Sequence, residues 1–245
     1  ALPAWQARGF DPATGLFRER LHLDGTPDRD ADLRVRTHMR QVYVFSHAAI
    51  LGLLPREAAL ATAASAMEGI RARAWAAGGV PGWAHRLDAK GGITDQRRDL
   101  YDHAFALHAL AWLAGATGDA RYQDWVDETF AAIDRLMAAP AGGWAESDRH
   151  EMPRRQNPHM HLLEACLALY ETSGDPRHLA RAAELVGLFR TRFFDEEIGT
   201  LREFFGPRWE TGEAYGSDRL DPGHMLEWVW LLRRYERTAG QPVSR

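Results

Sequence analysis

The sequence repeats two features along its length: long amphipathic stretches and glycine-containing loops. In the amphipathic stretches, apolar residues recur at steps of three and four, the spacing of one face of an α-helix, as at Leu107, Leu110, Ala111, Leu113 and Ala114. We therefore predict helices over residues 31–54, 56–77, 99–117, 119–139, 158–173, 176–194 and 223–239.

Short turns join these helices in pairs. Thr117-Gly118-Asp119 and Ser173-Gly174-Asp175-Pro176 each place a glycine at the end of one helix and a capping residue at the start of the next, and Leu54-Pro55-Arg56 marks a similar boundary. The sequence therefore predicts helical hairpins.

The loops between hairpins carry the second repeat, in which a glycine is followed by an aromatic residue or leucine and then by a polar residue. The loops begin at Gly15, Gly82, Gly143 and Gly199, with spacings of 67, 61 and 56 residues, and their polar residues are Glu19, His85, Glu146 and Glu203. Such a period holds two helices, a turn and an extended loop.

Hairpins of this kind stack side by side into a toroid of inner and outer helices. A closed α/α ring needs about six of them, and this sequence supplies a little over three. We predict an all-α fold in which about three and a half hairpins form an incomplete α/α toroid, in a single partial domain over residues 1–245.

An open arc leaves apolar faces on its terminal helices without partners, although large exposed apolar patches are rare on soluble monomers. We expect these faces to be covered by a missing C-terminal segment that completes the barrel, by a second copy in a homo-oligomer, or by a larger parent protein.

The composition excludes several classes of function. The chain is 45% hydrophobic and 26% charged, and its formal net charge of −4 comes without a cationic stripe, so no nucleic-acid partner is expected. No apolar run approaches the roughly twenty residues that cross a bilayer, so no membrane segment is expected. Cys166 is the only cysteine and lies in an apolar helical pattern; it is expected to pack, and a reducing, cytoplasmic location fits best.

Two helical segments each place a histidine one turn from a polar residue. They are Asn157 to Leu167, which pairs Asn157 with His161, and Asp221 to Trp228, which pairs His224 with Glu227. A lone histidine on a helix is more often a hydrogen-bonded core residue. Two similar segments instead favour one shared site for proton transfer.

His224 is the stronger candidate of the two. Asp221-Pro222-Gly223 indicates a helix start, and the positive end of a helix disfavours imidazolium, which leaves a neutral ring that accepts a proton. We expect Glu227 to orient that ring or to accept a hydroxyl hydrogen from a ligand. His159 points away from His161 and is expected to be a packing or hydrogen-bonding residue.

Two further residues are predicted to bind a ligand. Arg40 places a charge in an apolar helix, where it either holds a developing oxyanion or forms an internal salt bridge. In the segment from Asp99 to Phe105, Asp99 is expected to cap the helix and Phe105 to pack beneath Tyr101. The Tyr101 hydroxyl either faces a polar ligand or belongs to the core.

The sequence contains neither a His-Glu-x-x-His motif nor paired cysteines, so no metal and no cofactor are expected. Glu146 and Glu203 are isolated carboxylates, which makes a glycosidase with paired acids the least favoured alternative.

Four ordered motifs resemble the N-acylglucosamine 2-epimerase family, which includes N-acetylglucosamine and cellobiose 2-epimerases and mannose isomerases. The resemblance implies an (α/α)6 barrel and metal-independent removal of the C2 proton of an open-chain aldose to give an enediolate. The motifs are Arg40-Gln41-x-Tyr43-x-Phe45, Asp99-Leu-Tyr101-Asp102-x-Ala-Phe105, Arg155-Gln-Asn157-Pro-x-Met-His161-Leu-Leu-Glu164-Ala and Asp221-Pro-Gly-His224-x-x-Glu227-Trp228-x-Trp230-Leu-Leu.

The resemblance also implies roles for individual residues. His224 is expected to be a catalytic acid/base, with His161 as the second catalytic candidate, and the residues expected to bind a monosaccharide and its oxyanion are Arg40, Tyr101, Asn157 and Glu227. The family's second acid/base histidine, which lies near the end of a longer chain, has no counterpart in these 245 residues.

Within the family, the wording of the last two motifs is most similar to the mannose isomerase branch. The expected reaction is isomerisation of D-mannose to D-fructose or a closely related aldose–ketose step. The alternatives are 2-epimerisation of N-acylglucosamine or of a cellobiose-type disaccharide, and a non-catalytic sugar-binding or assembly fragment of such a barrel.

Overall fold

The computed structural model describes residues 1–240, 242 and 243, and these residues are mostly helical. The predicted all-α class and all seven predicted helices are confirmed. The helices are α1 Leu2–Ala4, α2 Val35–Ile50, α3 Arg56–Ala74, α4 Leu100–Thr117, α5 Arg121–Met137, α6 Asn157–Ser173, α7 Pro176–Leu188 and α8 Pro222–Ala239. Two 3-10 turns cover Ala77–Gly79 and Glu213–Tyr215, and two π-helical turns cover Trp5–Gly9 and Phe189–Phe193.

The helices form an arc with an inner and an outer layer. Helix α4 packs between α2 and α6, and α6 also contacts α8, so these four helices form the inner layer. Helices α3, α5 and α7 each pack on the inner helix that precedes them. Because α4 and α6 have neighbours on several sides, they are buried around most of their circumference. The arrangement is three hairpins followed by a fourth inner helix.

The loops between hairpins form short antiparallel ladders rather than large sheets. β1 pairs with β2, β4 lies between β3 and β5, β6 pairs with β9, and β7 pairs with β8. The strands are β1 Phe10–Asp11, β2 Leu16–Phe17, β3 Leu33–Arg34, β4 Arg86–Leu87, β5 Ile93–Asp95, β6 Arg154–Arg155, β7 Phe194–Asp195, β8 Thr200–Leu201 and β9 Phe204–Phe205.

These ladders explain why several helices are shorter than predicted. Helix α2 begins at Val35 rather than at residue 31 because the two residues before it pair with β4. Helix α3 ends at Ala74 because Trp75 pairs with Trp83. Periodicity continues through such boundaries, but the backbone hydrogen bonds of the ladder compete with those of the helix.

Each of the first three inner helices holds a glycine loop through a buried histidine. His38 Nδ1 accepts the N–H of Phe17 at 3.2 Å, and His103 Nε2 accepts that of Trp83 at 3.1 Å. His159 Nε2 accepts the N–H of Trp144, also at 3.1 Å. The other nitrogen of each ring lies within 3.1 Å of a backbone carbonyl. The prediction that His159 is a hydrogen-bonded core residue is confirmed.

This contact explains the glycine in two of the four loops. Gly82 has φ of +100°, in the left-handed region, and a Cβ there would lie 2.7 Å from His103 Nε2. A Cβ on Gly143 would likewise lie 3.1 Å from His159 Nε2. A side chain at either glycine would therefore separate the loop from the histidine that binds it.

The fourth unit departs from this pattern. The loop-binding histidines His103 and His159 each lie four positions after the last residue before their helix that pairs with a loop, which is Asp99 or Arg155. Met225 lies four positions after Asp221, the N-cap of α8. The Thr200 hydroxyl lies 3.4 Å from the Met225 sulfur. The histidine of α8, His224, lies one position earlier than Met225 and contacts the Glu203 carboxylate instead of a loop backbone N–H.

Both ends of the arc expose apolar side chains, as expected for an open ring. On α8, Leu226, Val229 and Trp230 are 73%, 57% and 48% exposed, whereas Trp228 and Leu231 are buried. Leu51 and Leu53, which follow α2, are also exposed. In the described part of the chain, no helix has the length and apolar character needed to cross a membrane.

Burial shifts the titration of the three loop-binding histidines. Desolvation lowers the pKa of His38 and His103 to about 4 and that of His159 to about 3, from an ordinary value of 6.5. The unfolded chain therefore binds more protons than the folded chain between pH 6.5 and about 4. The stability that these neutral rings provide is complete above pH 6.5 and is lost as the pH falls through this range.

We predict that His103→Gln makes the stability less dependent on pH in this range. The substitution removes one titrating group, so the slope of unfolding free energy against pH between 6.5 and 4 becomes shallower by up to about 1.4 kcal/mol per pH unit. Urea denaturation at a series of pH values measures the slope. The curves of the two proteins should be parallel from pH 7 to 9, and an unchanged slope below pH 6.5 would contradict the assignment.

Candidate active site

His161 connects the inner helices α4, α6 and α8. Its Nδ1 atom lies 3.1 Å from Glu164 Oε2 and 3.8 Å from Glu227 Oε1, and its side chain is only 7% exposed. Its ring centroid lies 4.8 Å from that of Tyr101 and 4.7 Å from that of Phe105. The histidine is therefore held between two aromatic rings and two carboxylates.

Glu164 is ionised in this environment. Burial alone would raise the pKa of its carboxyl, but the hydrogen bond to His161 and neighbouring positive charge, including that of Arg234, bring the pKa below its ordinary value. A carboxylate on Nδ1 orients the His161 ring and leaves the other ring nitrogen for a different partner.

Arg40 and Tyr101 contact each other, as the two predicted binding residues should if they share a site. Arg40 Nη2 donates to the Tyr101 hydroxyl at 3.0 Å, and its Cζ atom lies 4.0 Å from the centroid of the Phe105 ring. Phe105 packs against Tyr101 and Asp99 caps α4, as predicted. Arg40 is exposed, so its charge remains hydrated without the internal salt bridge that a buried arginine would require.

His224 lies in the first turn of α8. The carboxylate of Asp221 accepts the backbone N–H groups of Gly223 and His224, which confirms the predicted cap. His224 Nδ1 lies 2.9 Å from Glu203 Oε2 and 3.7 Å from Asp221 Oδ2. The ring is partly exposed, with 22% of the side chain accessible.

A buried chain of hydrogen bonds holds Glu203 in place. Gln156 Nε2 donates to Glu203 Oε2 at 2.9 Å, and Trp228 Nε1 donates to Gln156 Oε1 at 2.5 Å. Burial raises the pKa of Glu203, and the hydrogen bonds from Gln156 and His224 oppose that rise. The loop before β9, helix α6 and helix α8 therefore meet at the acid/base candidate.

The structure pairs both histidines differently from the sequence-based prediction. His224 contacts Glu203 rather than Glu227, and Glu227 lies closest to His161. His161 in turn bonds Glu164 rather than Asn157, whose Oδ1 atom is buried without a hydrogen-bond partner. Spacing along a helix shows which residues share a face, whereas the packing of neighbouring helices and loops selects the actual partner.

Sequence reasoning missed four residues of this site, although the repeat contained a clue to Glu203. In each unit the polar residue of the glycine loop contacts the first turn of the following inner helix or the strand that leads into it, so Glu203 was not an isolated carboxylate. The missed residues are Glu203, Gln156, Glu164 and Trp228.

Two polar atoms near the site lack protein partners. Asn157 Oδ1 and Glu203 Oε1 are buried and accept no hydrogen bond from the described residues. Buried acceptors normally have a donor, and the hydroxyl group of a ligand is a suitable donor to Asn157.

Two groups of side chains bring potential metal ligands together. The ligand atoms of His161, Glu164 and Glu227 lie within 4.8 Å of one another. The second group consists of His85, Asp99 and Asp102. Arg36 Nη1 lies 3.7 Å from Asp102 Oδ1. That arginine charge disfavours a cation in the second group.

The sequence matches the N-acylglucosamine 2-epimerase (GlcNAc 2-epimerase) family over residues 15–243. The chain belongs to this family. The expected relationship is therefore confirmed, and the match includes the inner helices that carry the candidate site.

Individual relatives support this assignment. The chain is 37% identical, over 98% of its length, to a mannose-6-phosphate isomerase of Rhizobium meliloti (strain 1021), and it covers 62% of that protein. It is 32% identical, over 66% of its length, to a D-mannose isomerase of Thermobifida fusca, and it covers 44% of that protein. The chain thus spans less than two thirds of the length of these relatives.

A solved structure shows the same architecture. The cellobiose 2-epimerase from Spirochaeta thermophila DSM 6192 is 26% identical and superposes with a TM-score of 0.87, covering 100% of this chain and 62% of that one. The predicted (α/α)6-barrel type of fold is confirmed.

We predict that Gln156→Leu destabilises the protein by about 2–4 kcal/mol. The substitution leaves the Trp228 indole N–H without its acceptor and Glu203 without one donor, both in buried surroundings. Urea denaturation at pH 7 measures the loss. Gln123→Leu is the matched control, because Gln123 Nε2 is buried and has no hydrogen-bond partner among the described residues. Equal effects of the two substitutions would show that the Gln156 hydrogen bonds contribute little.

Proposed function

We propose that the protein is a sugar isomerase or epimerase in which His224 acts as the acid/base at C2 of an open-chain aldose. The main support is a continuous set of contacts through all four inner helices, from Arg40 to Tyr101, His161 and Glu227. His224 lies one turn before Glu227 on α8. The predicted site residues thus come from four helices that are far apart in sequence.

The proposed reaction is aldose–ketose isomerisation of the D-mannose to D-fructose type. His224 removes the C2 proton, the electrons of the C–H bond form a C1–C2 double bond, and O1 becomes an oxyanion of the enediolate. Transfer of the O2 proton to O1 and return of the first proton to C1 give the ketose. The net change moves two protons and requires no external oxidant or reductant.

The other residues have distinct proposed roles. Arg40 and the Tyr101 hydroxyl stabilise the oxyanion as its charge develops. His161, with carboxylates on two sides, carries the hydroxyl proton between O2 and O1. Asn157 and Glu227 accept hydrogen bonds from sugar hydroxyl groups.

The names of the relatives favour isomerisation over epimerisation. The relatives that are 37% and 32% identical are named mannose-6-phosphate isomerase and D-mannose isomerase, whereas a cellobiose 2-epimerase of Bacteroides fragilis is 26% identical. The proposed substrates are therefore D-mannose and its 6-phosphate, and 2-epimerisation is the alternative.

Incubation with each sugar in deuterium oxide distinguishes these reactions. A ketose with deuterium at C1 supports isomerisation, and an aldose inverted and labelled at C2 supports epimerisation. Saturable binding with no exchange indicates a non-catalytic sugar-binding protein and contradicts the proposal. NMR spectroscopy identifies both the product and the position of the label.

We predict that His224→Ala lowers the rate of C2 proton exchange by at least about 100-fold while the protein remains folded, because the substitution removes the imidazole that is proposed to accept the C2 proton. Deuterium incorporation measures the rate, and circular dichroism checks the fold. His22→Ala, at an exposed position far from α8 in the sequence, is the control and should retain exchange. Exchange at nearly the wild-type rate in His224→Ala would remove His224 from the mechanism.

A further inference from the structure

The polar residue of every glycine loop contacts either the first turn of the next inner helix or, in the third unit, the strand that leads into that helix. In the first three units the partner is a threonine, an aspartate or an arginine, and in the fourth it is the proposed acid/base. The contacts are Glu19 to Thr37 at 3.3 Å, His85 to Asp102 at 2.6 Å, Glu146 to Arg155 at 2.6 Å and Glu203 to His224 at 2.9 Å. In the fourth unit, the contact that supports the fold in the other units thus involves His224, the proposed acid/base.

We propose that Glu203 is a positioning residue that sets the ring orientation and the tautomer of His224. This inference rests on the proposed function of His224. A carboxylate at Nδ1 accepts the hydrogen of that nitrogen, so Nε2 carries the free electron pair. Nε2 is then the atom that removes the C2 proton, as in other enzymes where a carboxylate orients a histidine base.

The surroundings of Glu203 make it a rigid support. The residue is only 4% exposed, and its Oε2 atom binds both Gln156 and His224 at 2.9 Å. Gln156 is itself fully buried and accepts the indole N–H of Trp228. The carboxylate therefore has little freedom to turn, and its position fixes that of the ring.

The ring of His224 depends on this support because the rest of its environment is open. The side chain is 22% exposed, and its second acidic neighbour, Asp221, lies farther away at 3.7 Å with 52% of its own side chain exposed. Asp221 Oδ1 is also used as the helix cap. Without Glu203, the ring would lose its only close carboxylate among the described residues and both tautomers would be populated.

The test compares Glu203→Met with Glu146→Met. Both substitutions replace a buried glutamate of a glycine loop by an apolar side chain of similar length, and only the first removes a contact to a histidine. We expect Glu203→Met to lower kcat by about 100-fold or more with a much smaller change in KM, and Glu146→Met to leave kcat nearly unchanged. Glu203→Asp, which retains a carboxylate, should recover part of the loss.

A measurement that does not depend on activity tests the tautomer directly. Long-range proton–nitrogen NMR spectra of the folded protein should show Nδ1 of His224 protonated in the wild type and a mixture of tautomers in Glu203→Met. An unchanged tautomer, or an unchanged kcat in folded Glu203→Met, would overturn the role of Glu203. If the wild type shows no exchange at C2 with either sugar, the proposed function fails, while the NMR spectra still report whether Glu203 holds the ring.

Discussion

The hydrogen bond between an inner-helix histidine and the backbone N–H that follows a loop glycine organises this structure. It joins the extended loop to the inner helix in the first three units, through Nδ1 of His38 and through Nε2 of His103 and His159. Two requirements follow from it. At Gly82 and Gly143 the glycine must leave room for the imidazole. In all three units the imidazole must remain neutral so that one ring nitrogen accepts the loop N–H while the other faces a carbonyl.

The candidate site arises where the repeat changes. In α8 the loop-binding position is occupied by Met225, and the histidine has moved one position towards the helix start. A shift of one residue turns a side chain by about 100° around the helix axis. His224 therefore does not contact the loop backbone and contacts Glu203 instead. In the other units, the residues equivalent to Glu203 contact a threonine, an aspartate or an arginine. The loop-binding histidines and the proposed acid/base His224 thus differ by one position at the start of the inner helix.

Local features of the sequence predicted much of this molecule. The helices, the Asp99 and Asp221 caps and the packing role of His159 follow from periodicity, from capping chemistry and from spacing, all of which involve neighbours within about one helical turn. The errors lie where distant segments meet. Helices were predicted too long where their ends join ladders, and His224 was given a partner on its own helix instead of Glu203, since helical spacing was the only geometric information available. For His161, spacing allowed both Asn157 and Glu164 on the same helix, and the wrong one was chosen.

The sequence by itself determined the hairpins, the helix caps and the period of the repeat, because each of these depends on interactions along a short stretch of chain. Only the tertiary structure decided that Glu203 holds His224, that Glu164 and Glu227 flank His161, and that Arg40 reaches Tyr101. These contacts join residues of different helices and loops, or choose among several partners on one helix. The stacking of whole units fixes the distances between them, and no local pattern encodes those distances.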